Sequence, residues 1–242
     1  MGVIRPPWVS KEWFSQCPFN YCDHFGDKKL LATVCKVCKE ELERLKEYKR
    51  KGKDPYDMKN VLDDVGKDLA KALAMVTKKA QEMGIDLDNL PDEPEPPPHE
   101  SYPIFNVIIK YGEKIEKVIK ELEVVPIDID KELIIKAVDV LFHSRYYIIA
   151  KIGRALSSRW EKLRDPLDDI DDSKTSALFA YTAIERNSKA LLALSRHKPL
   201  KYLKARLLKS ARLSLDMAQT IREEFFPEDK LKYEEFGYYD FR

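Results

Sequence analysis

IDKELIIKAVDVLFHSRYYIIAKIGRALSSRWEKL, residues 129–163, is the longest helical pattern in this chain. Its apolar side chains recur every three or four residues, which places them on one face of an amphipathic helix. The stripe consists of Ile134, Val138, Leu141, Ile149, Ile152 and Leu156.

Prolines divide the rest of the chain into segments with the same periodicity. Proline lacks a backbone N–H and clashes with the preceding turn, so it marks helix ends. Helices are predicted at residues 36–51, 56–83, 104–122, 129–163, 174–197 and 200–226. Alternating strand patterns are scarce. The sequence therefore predicts an all-α fold, a bundle of four to five long antiparallel helices with a small N-terminal cysteine-rich metal-binding segment.

The expected domain organisation follows the same landmarks. Residues 1–51 form a cysteine-rich N-terminal segment with a short helix, and residues 52–242 form the helical bundle. The range 91–103 is acidic and proline-rich, which favours an extended linker over packed structure.

Charge and composition narrow the class of protein. The chain has 242 residues, with 43 Lys and Arg against 42 Asp and Glu, so its formal net charge is +1. No global attraction to nucleic acid or anionic lipid is expected, although local patches remain open. We expect no signal peptide, no membrane segment and a cytoplasmic location, because no apolar run reaches the ~20 residues of a membrane helix.

The four cysteines lie close together, at Cys17, Cys22, Cys35 and Cys38. Two short-spaced pairs joined by a loop can place four thiolates around one tetrahedral ion, which predicts a zinc site. An iron–sulfur cluster, disulfides or plain thiols remain open, and His24 could replace one cysteine. Because four thiolates leave no open coordination position, a zinc ion here would be structural.

The stretch CPFNYCD at residues 17–23 resembles the opening of a family of uncharacterised bacterial helical proteins. The stretches GKDP at 52–55 and GIDLDNLP at 84–91 resemble the same family. This chain has FGD at 25–27 where the family has a further cysteine. The resemblance implies a metal site and a helical body, and it implies no activity.

Two charged residues interrupt apolar stripes. Arg145 falls within the stripe of residues 129–163, and Glu185 falls within that of residues 174–197. A lone buried charge costs several kcal/mol, so we expect the two to meet across the helix interface, with Tyr146 and Tyr181 nearby. They form either a structural ion pair or a polar ligand pocket.

The range 196–212 contains seven Lys or Arg and no Asp or Glu. Lys198, Lys201, Lys209 and Arg212 gather on one face of the predicted helix. This stripe predicts a surface for nucleic-acid phosphates or an acidic protein partner, with an ordinary solvated face as the alternative.

Two functions follow from these features. The first is a metal-stabilised cytoplasmic binding protein whose basic helix contacts a protein or nucleic-acid partner. The alternative is an enzyme or ligand sensor with a polar pocket around Arg145 and Glu185. The sequence identifies no catalytic residue, and it leaves open whether the protein is an enzyme.

Overall fold

The computed structural model describes residues 36–89, 94–125, 131–164 and 172–228. Within these ranges the secondary structure is helical, with six α-helices and no strand, which confirms the all-α prediction for this part of the chain. The helices are α1 (Lys36–Arg50), α2 (Met58–Met83), α3 (Pro103–Glu123), α4 (Lys131–Arg164), α5 (Asp172–Arg196) and α6 (Lys204–Phe225). Three short 3-10 helices are Leu87–Asn89, His99–Ser101 and Lys198–Leu200.

The described residues fall into two compact units that divide between Glu95 and Pro96. This point lies inside the proline-rich range 91–103, where residues 94–98 are exposed and non-helical, whereas His99–Ser101 form a 3-10 helix and Pro103 begins α3. The predicted division after residue 51 concerns a segment that lies mostly outside the described residues, so it stays a prediction.

The unit that follows the linker contains a four-helix bundle, α3 to α6. Within the bundle α3 packs against α4, α4 against α5 and α5 against α6, and α6 returns to pack against α3. The directions follow from the side-chain contacts between α4 and α5. Arg154, late in α4, bonds Asp172 at the start of α5, while Ser144, earlier in α4, bonds Asn187 further along α5. α4 and α5 are therefore antiparallel.

α3 and α4 are antiparallel too, because His99, just before α3, contacts Ser157 late in α4, while Glu116, further along α3, pairs with Arg145 earlier in α4. α3 and α6 are also antiparallel, because Tyr111 of α3 contacts Ser214 of α6, while Glu121 near the end of α3 pairs with Arg206 near the start of α6. The four helices thus follow an up-down-up-down order.

The bundle core is built from the apolar stripes of all four helices. Its fully or almost fully buried members include Ile108, Ile115, Leu141, Ile148, Ile152, Leu178, Ile184, Leu191, Leu207 and Ile221. Each such side chain contributes about 1.5–3 kcal/mol relative to leaving it in water. Burial of these side chains is the main stabilising contribution to the bundle.

The end of the linker is attached to α4 by His99. The Nε2 atom of this residue lies 2.9 Å from the Oγ of Ser157, and its ring packs against Phe105, with centroids 5.1 Å apart. Gly153 of α4 permits this approach, because a Cβ there would lie 3.1 Å from the imidazole. The contact positions Pro103, which starts α3.

The unit that precedes the linker contains α1 and α2. Asp57 caps the start of α2 by accepting hydrogen bonds from two backbone N–H groups, and Gly84 ends it in a left-handed conformation, φ 67°. Gly84 is therefore the C-cap of α2. Near the turn between the helices, the carboxylate of Asp64 accepts hydrogen bonds from Arg44 and Tyr48, each 2.9 Å long.

The apolar residues of α2 belong to a different unit from the bundle. At helical spacing they include Val61, Val65, Leu69, Ala72, Val76 and Met83, and all of these except Val61 are exposed. Ala80 is the one described residue of this helix that is buried. The bundle therefore has four helices, the lower of the two predicted numbers, because α2 belongs to the other unit.

Candidate functional site

The strongest concentration of one charge in the described chain lies where α5 ends and α6 begins. We call it the basic surface, and it consists of Arg196, Lys198, Lys201, Lys204, Arg206, Lys209 and Arg212, all of them exposed. Two leucines hold this segment on the bundle, since Leu200 is 0% and Leu207 is 1% exposed. With the apolar side chains fixed inward, the long basic side chains between them face solvent.

Two of these cations have partners. Arg206 forms an ion pair with Glu121 of α3, and Arg212 pairs with Asp216 one turn further along α6 at 3.0 Å. Lys198, Lys201 and Lys209 form no ion pair with any residue that the structure describes. The four residues predicted to form a basic face are all exposed: Lys198, Lys201, Lys209 and Arg212. Their role in binding a partner stays a prediction.

The start of α6 adds to the positive potential of the basic surface. Its N-cap residue, Leu203, offers no side-chain hydrogen bond, and the first turn contains no acidic residue. A helix N-terminus carries a partial positive charge and favours anions, so lysines and arginines gathered there raise the free energy of the unliganded protein. Beside them Tyr202 is 63% exposed, which leaves an aromatic ring among the cations.

The predicted ion pair between Arg145 and Glu185 is wrong, because Arg145 pairs with a glutamate of α3 instead. The Nη1 atom of Arg145 lies 3.8 Å from the Oε1 of Glu116 on α3. The backbone explains the choice, because the carbonyl of Arg145 lies 3.6 Å from where a Cβ of Gly112 would be. This side of α4 therefore faces α3, whereas the prediction assumed that it faces α5.

Aromatic rings form the rest of the Arg145 environment. Its side chain is 14% exposed, and its guanidinium lies 4.3 Å from the ring centroid of Phe142 and 4.5 Å from that of Tyr146. The Nε atom is buried without a hydrogen-bond partner among the described residues. Tyr146 itself is 61% exposed. Among the described residues, the Arg145 guanidinium thus contacts two aromatic ring faces and forms one long ion pair.

Tyr181 and Glu185 form a separate pair on α5. The hydroxyl of Tyr181 donates to the Oε1 of Glu185 at 2.9 Å. Burial first, and the hydrogen bond to the Glu185 carboxylate second, raise the pKa of Tyr181 to about 12. The four predicted ligand residues thus form two local pairs, Arg145 with Tyr146 and Tyr181 with Glu185. Their role in ligand binding stays a prediction.

A buried hydrogen-bond network, which the sequence reasoning missed, crosses the bundle. Each helix contributes one residue: Tyr111 from α3, Ser144 from α4, Asn187 from α5 and Ser214 from α6. Asn187 accepts from the Ser144 hydroxyl at 2.7 Å and donates through its Nδ2 to the Tyr111 hydroxyl at 2.9 Å. The hydroxyls of Tyr111 and Ser214 are 2.9 Å apart, and Ser214 donates to the carbonyl of Ser210 at 3.1 Å.

This network has one consistent direction of donation, from Ser144 through Asn187 and Tyr111 to Ser214. Burial raises the pKa of Tyr111 to about 12, so its hydroxyl keeps its proton and can donate. One signal was present in the sequence, because Tyr111 continues the apolar spacing of Ile108 and Ile115. A phenol on a buried stripe needs a hydrogen-bond partner.

A cavity of about 490 Å³ lies where α4 ends, α5 begins and α6 ends. Its lining comprises Arg159, Lys162, Leu163, Ser173, Lys174, Glu224 and Phe225. The Arg159 guanidinium bonds Glu224 at 2.6 Å and lies over the Phe225 ring at 4.2 Å. Three cations line this cavity, of which Arg159 is paired with Glu224, whereas seven form the basic surface.

The predicted metal ligands lie almost entirely outside the described residues. This holds for Cys17, Cys22, Cys35 and the nearby His24, while Cys38 belongs to α1 but its side chain is not among those the structure describes. Elsewhere in the described ranges, His, Cys, Asp and Glu side chains form no group of three or more that could hold a metal ion. The zinc site therefore stays a prediction.

Comparisons with models of known families, with curated proteins and with solved structures found no match. The resemblance carried by residues 17–23 lies outside the described part of the chain and stays a prediction. Among the described helices, none combines the length and the apolar character that crossing a membrane requires.

Proposed function

We propose that this protein is a binding protein that contacts the phosphate backbone of a nucleic acid through the basic surface. One observation carries the proposal: seven exposed cations, with no Asp or Glu between them in the sequence, gather around the start of α6, and two of them are paired with the carboxylates of Glu121 and Asp216. Their mutual repulsion and the helix dipole both disfavour such a cluster in the free protein. A bound polyanion removes both penalties at once.

The surface also suits the chemistry of a single strand. Phosphates pair with lysines and arginines, and the exposed ring of Tyr202 offers a face on which a base can stack. The formal net charge of the whole chain is +1, so attraction is local rather than global. We therefore expect moderate affinity and strong dependence on salt. Three phosphate contacts give a slope of about −2 in log affinity against log salt for single strands.

The test is fluorescence anisotropy of a labelled single-stranded oligonucleotide, measured at several salt concentrations. Lys201→Glu combined with Lys209→Glu should weaken binding by at least about tenfold, since each lost phosphate contact also removes counterion release. The matched control is Lys110→Glu with Lys114→Glu. These two exposed lysines lie on α3, away from the start of α6. The control changes the net charge by the same amount, so it distinguishes loss of a local binding site from a general effect of net charge on binding.

Equal loss in both double variants contradicts a site on the basic surface. Absence of binding to single-stranded DNA and RNA at low salt contradicts the nucleic-acid proposal. If the protein instead binds polyglutamate, and Lys201→Glu with Lys209→Glu abolishes that binding, an acidic protein is the partner. Circular dichroism of each variant shows whether the helices remain folded.

A structural metal is the second part of the proposal. The spacing of Cys17, Cys22, Cys35 and Cys38 supports a zinc ion bound by four thiolates in the reducing cytoplasm. Elemental analysis of the purified protein should find zinc in equal amount to protein. Replacement of Cys17 and Cys22 by serine should release it. Iron with acid-labile sulfide would identify a cluster instead, and absence of any metal would contradict the site.

A further inference from the structure

The cavity where α4 ends, α5 begins and α6 ends has the size of a ligand site. Its volume of about 490 Å³ falls within the range of about 300–1,000 Å³ that small-molecule pockets occupy. All its lining residues lie on these three helices of the bundle. The basic surface gathers around the start of α6, whereas the cavity lies at its end. Because α6 has 22 residues and is therefore about 33 Å long, the two sites are separate.

Part of the cavity lining is apolar. Leu163, near the end of α4, is 77% exposed, and Phe225, the last residue of α6, is 4% exposed. The Arg159 guanidinium lies over the Phe225 ring and donates to the Oε1 of Glu224 at 2.6 Å and to its backbone carbonyl at 3.2 Å. These contacts fix Arg159 as part of the lining. An apolar group placed against Leu163 and Phe225 leaves water, which favours its binding.

Ser173 provides a polar group without a partner. It lies in the first turn of α5, lines the cavity and is 6% exposed. Its hydroxyl forms no hydrogen bond with any residue in the described ranges. A nearly buried hydroxyl is disfavoured when it is left unpaired. Since the cavity is the open space beside Ser173, a ligand there can supply the missing hydrogen-bond partner.

The charge around Ser173 favours an anion as that partner. Arg159, Lys162 and Lys174 line the cavity together with one carboxylate, that of Glu224, so the formal charge of the lining is +2. The start of α5 adds the partial positive charge of a helix N-terminus. The first turn of α5 contains one acidic residue, Asp172, which bonds an arginine of α4 at 2.7 Å and does not line the cavity.

We propose that this cavity binds a small amphipathic anion, an apolar chain that carries one carboxylate or phosphate group. The anionic group accepts a hydrogen bond from the Ser173 hydroxyl at the start of α5, and the apolar chain lies against Leu163 and Phe225. The proposal is independent of nucleic-acid binding, because no residue of the basic surface lines the cavity.

The probes are decanoate and decyl phosphate, which share an apolar chain and differ in the anionic group. Isothermal titration calorimetry of the full-length protein, below the concentrations at which the probes form micelles, should show saturable binding of at least one of them. The tighter probe identifies the preferred anionic group. 1-Decanol lacks the charge, and acetate and inorganic phosphate lack the chain. Each of these should bind at least about tenfold more weakly than the tighter probe.

Leu163→Glu tests the apolar part of the cavity. It removes an apolar contact and places a carboxylate beside the bound anion, so the dissociation constant of the tighter probe should rise by at least about tenfold. The matched control is Leu215→Glu, the same change at an exposed leucine earlier on α6, which does not line the cavity and should leave binding unchanged. Far-UV circular dichroism shows whether both variants stay folded.

Ser173→Ala tests the polar part of the cavity. Loss of one hydrogen bond should raise the dissociation constant of the tighter probe by about three- to tenfold. Affinity equal to that of the wild-type protein overturns the assignment of the anionic group to the start of α5, and so does equal affinity for decanoate and 1-decanol. Absence of binding of both anionic probes overturns the whole proposal, as does equal loss of binding in Leu163→Glu and Leu215→Glu.

Discussion

At the scale of single residues, the four-residue network inside the bundle is the feature that most clearly specifies the packing. Each of Tyr111, Ser144, Asn187 and Ser214 has its partner on another helix, and the pairs form only when all four helices are in register. An unsatisfied buried polar group costs about 1–3 kcal/mol, so a shifted register is disfavoured at several positions together. The network thus selects one alignment among those that apolar side chains alone would permit.

Tyr111→Phe tests this role. Removal of the hydroxyl leaves the Asn187 amide without an acceptor and the Ser214 hydroxyl without its donor, so the free energy of unfolding should fall by about 1–3 kcal/mol. Urea denaturation measures it. Tyr202→Phe, which removes an exposed hydroxyl, is the control and should change little. Equal stability of Tyr111→Phe and the wild-type protein would contradict the role of the network.

The raised pKa of Tyr111 predicts that the stability of the folded protein decreases at alkaline pH. An unfolded tyrosine has a pKa near 10, whereas burial raises the pKa of Tyr111 to about 12. Between these values the unfolded chain binds fewer protons than the folded one, so stability falls as pH rises, by about 1.4 kcal/mol per pH unit. Tyr181 contributes less because it is partly exposed. The free energy of unfolding should be measured from about pH 9 to about pH 12, roughly the interval between the two pKa values. Its decrease with pH should be smaller in Tyr111→Phe than in the wild-type protein.

Arg145 makes the opposite case, a mostly buried cation whose contacts we expect to be dispensable. Its ion pair with Glu116 is 3.8 Å long, and its Nε is unsatisfied among the described residues. Arg145→Met keeps the volume and removes the desolvation cost, so stability should stay within about 1 kcal/mol or rise. Thermal unfolding checks this. A loss above about 3 kcal/mol would show that the guanidinium stabilises the interface between α3 and α4.

At the scale of elements, the sequence predicted where helices begin and end much better than it predicted which helix faces pack together. Proline positions and the glycine at Gly84 indicate where helices end, because these residues act on the backbone of their own segment. The partner of Arg145 depends on how α4 is rotated relative to α3 and α5, which periodicity within one helix does not determine. The network was missed for a related reason: Ser144 and Asn187 are ordinary polar residues until another helix brings Tyr111 beside them.

The exposure of α2 shows the same limit. Its amphipathic pattern correctly predicted a helix with one apolar face, and that face was assigned to the bundle. An apolar stripe indicates that a helix needs a partner, but it does not say which one.

At the scale of the whole molecule, the two units should differ in local stability, and this gives a last prediction. Most residues of α5 are buried, whereas one residue of α2, Ala80, is buried. Local opening of a helix costs little when few buried contacts are lost. In dilute protein, hydrogen exchange followed by mass spectrometry should therefore find the amides of α5 strongly protected and those of α2 exchanging much faster. Protection of α2 equal to that of α5 in dilute wild-type protein would contradict the prediction, because it would require contacts that the exposed side chains of α2 do not make.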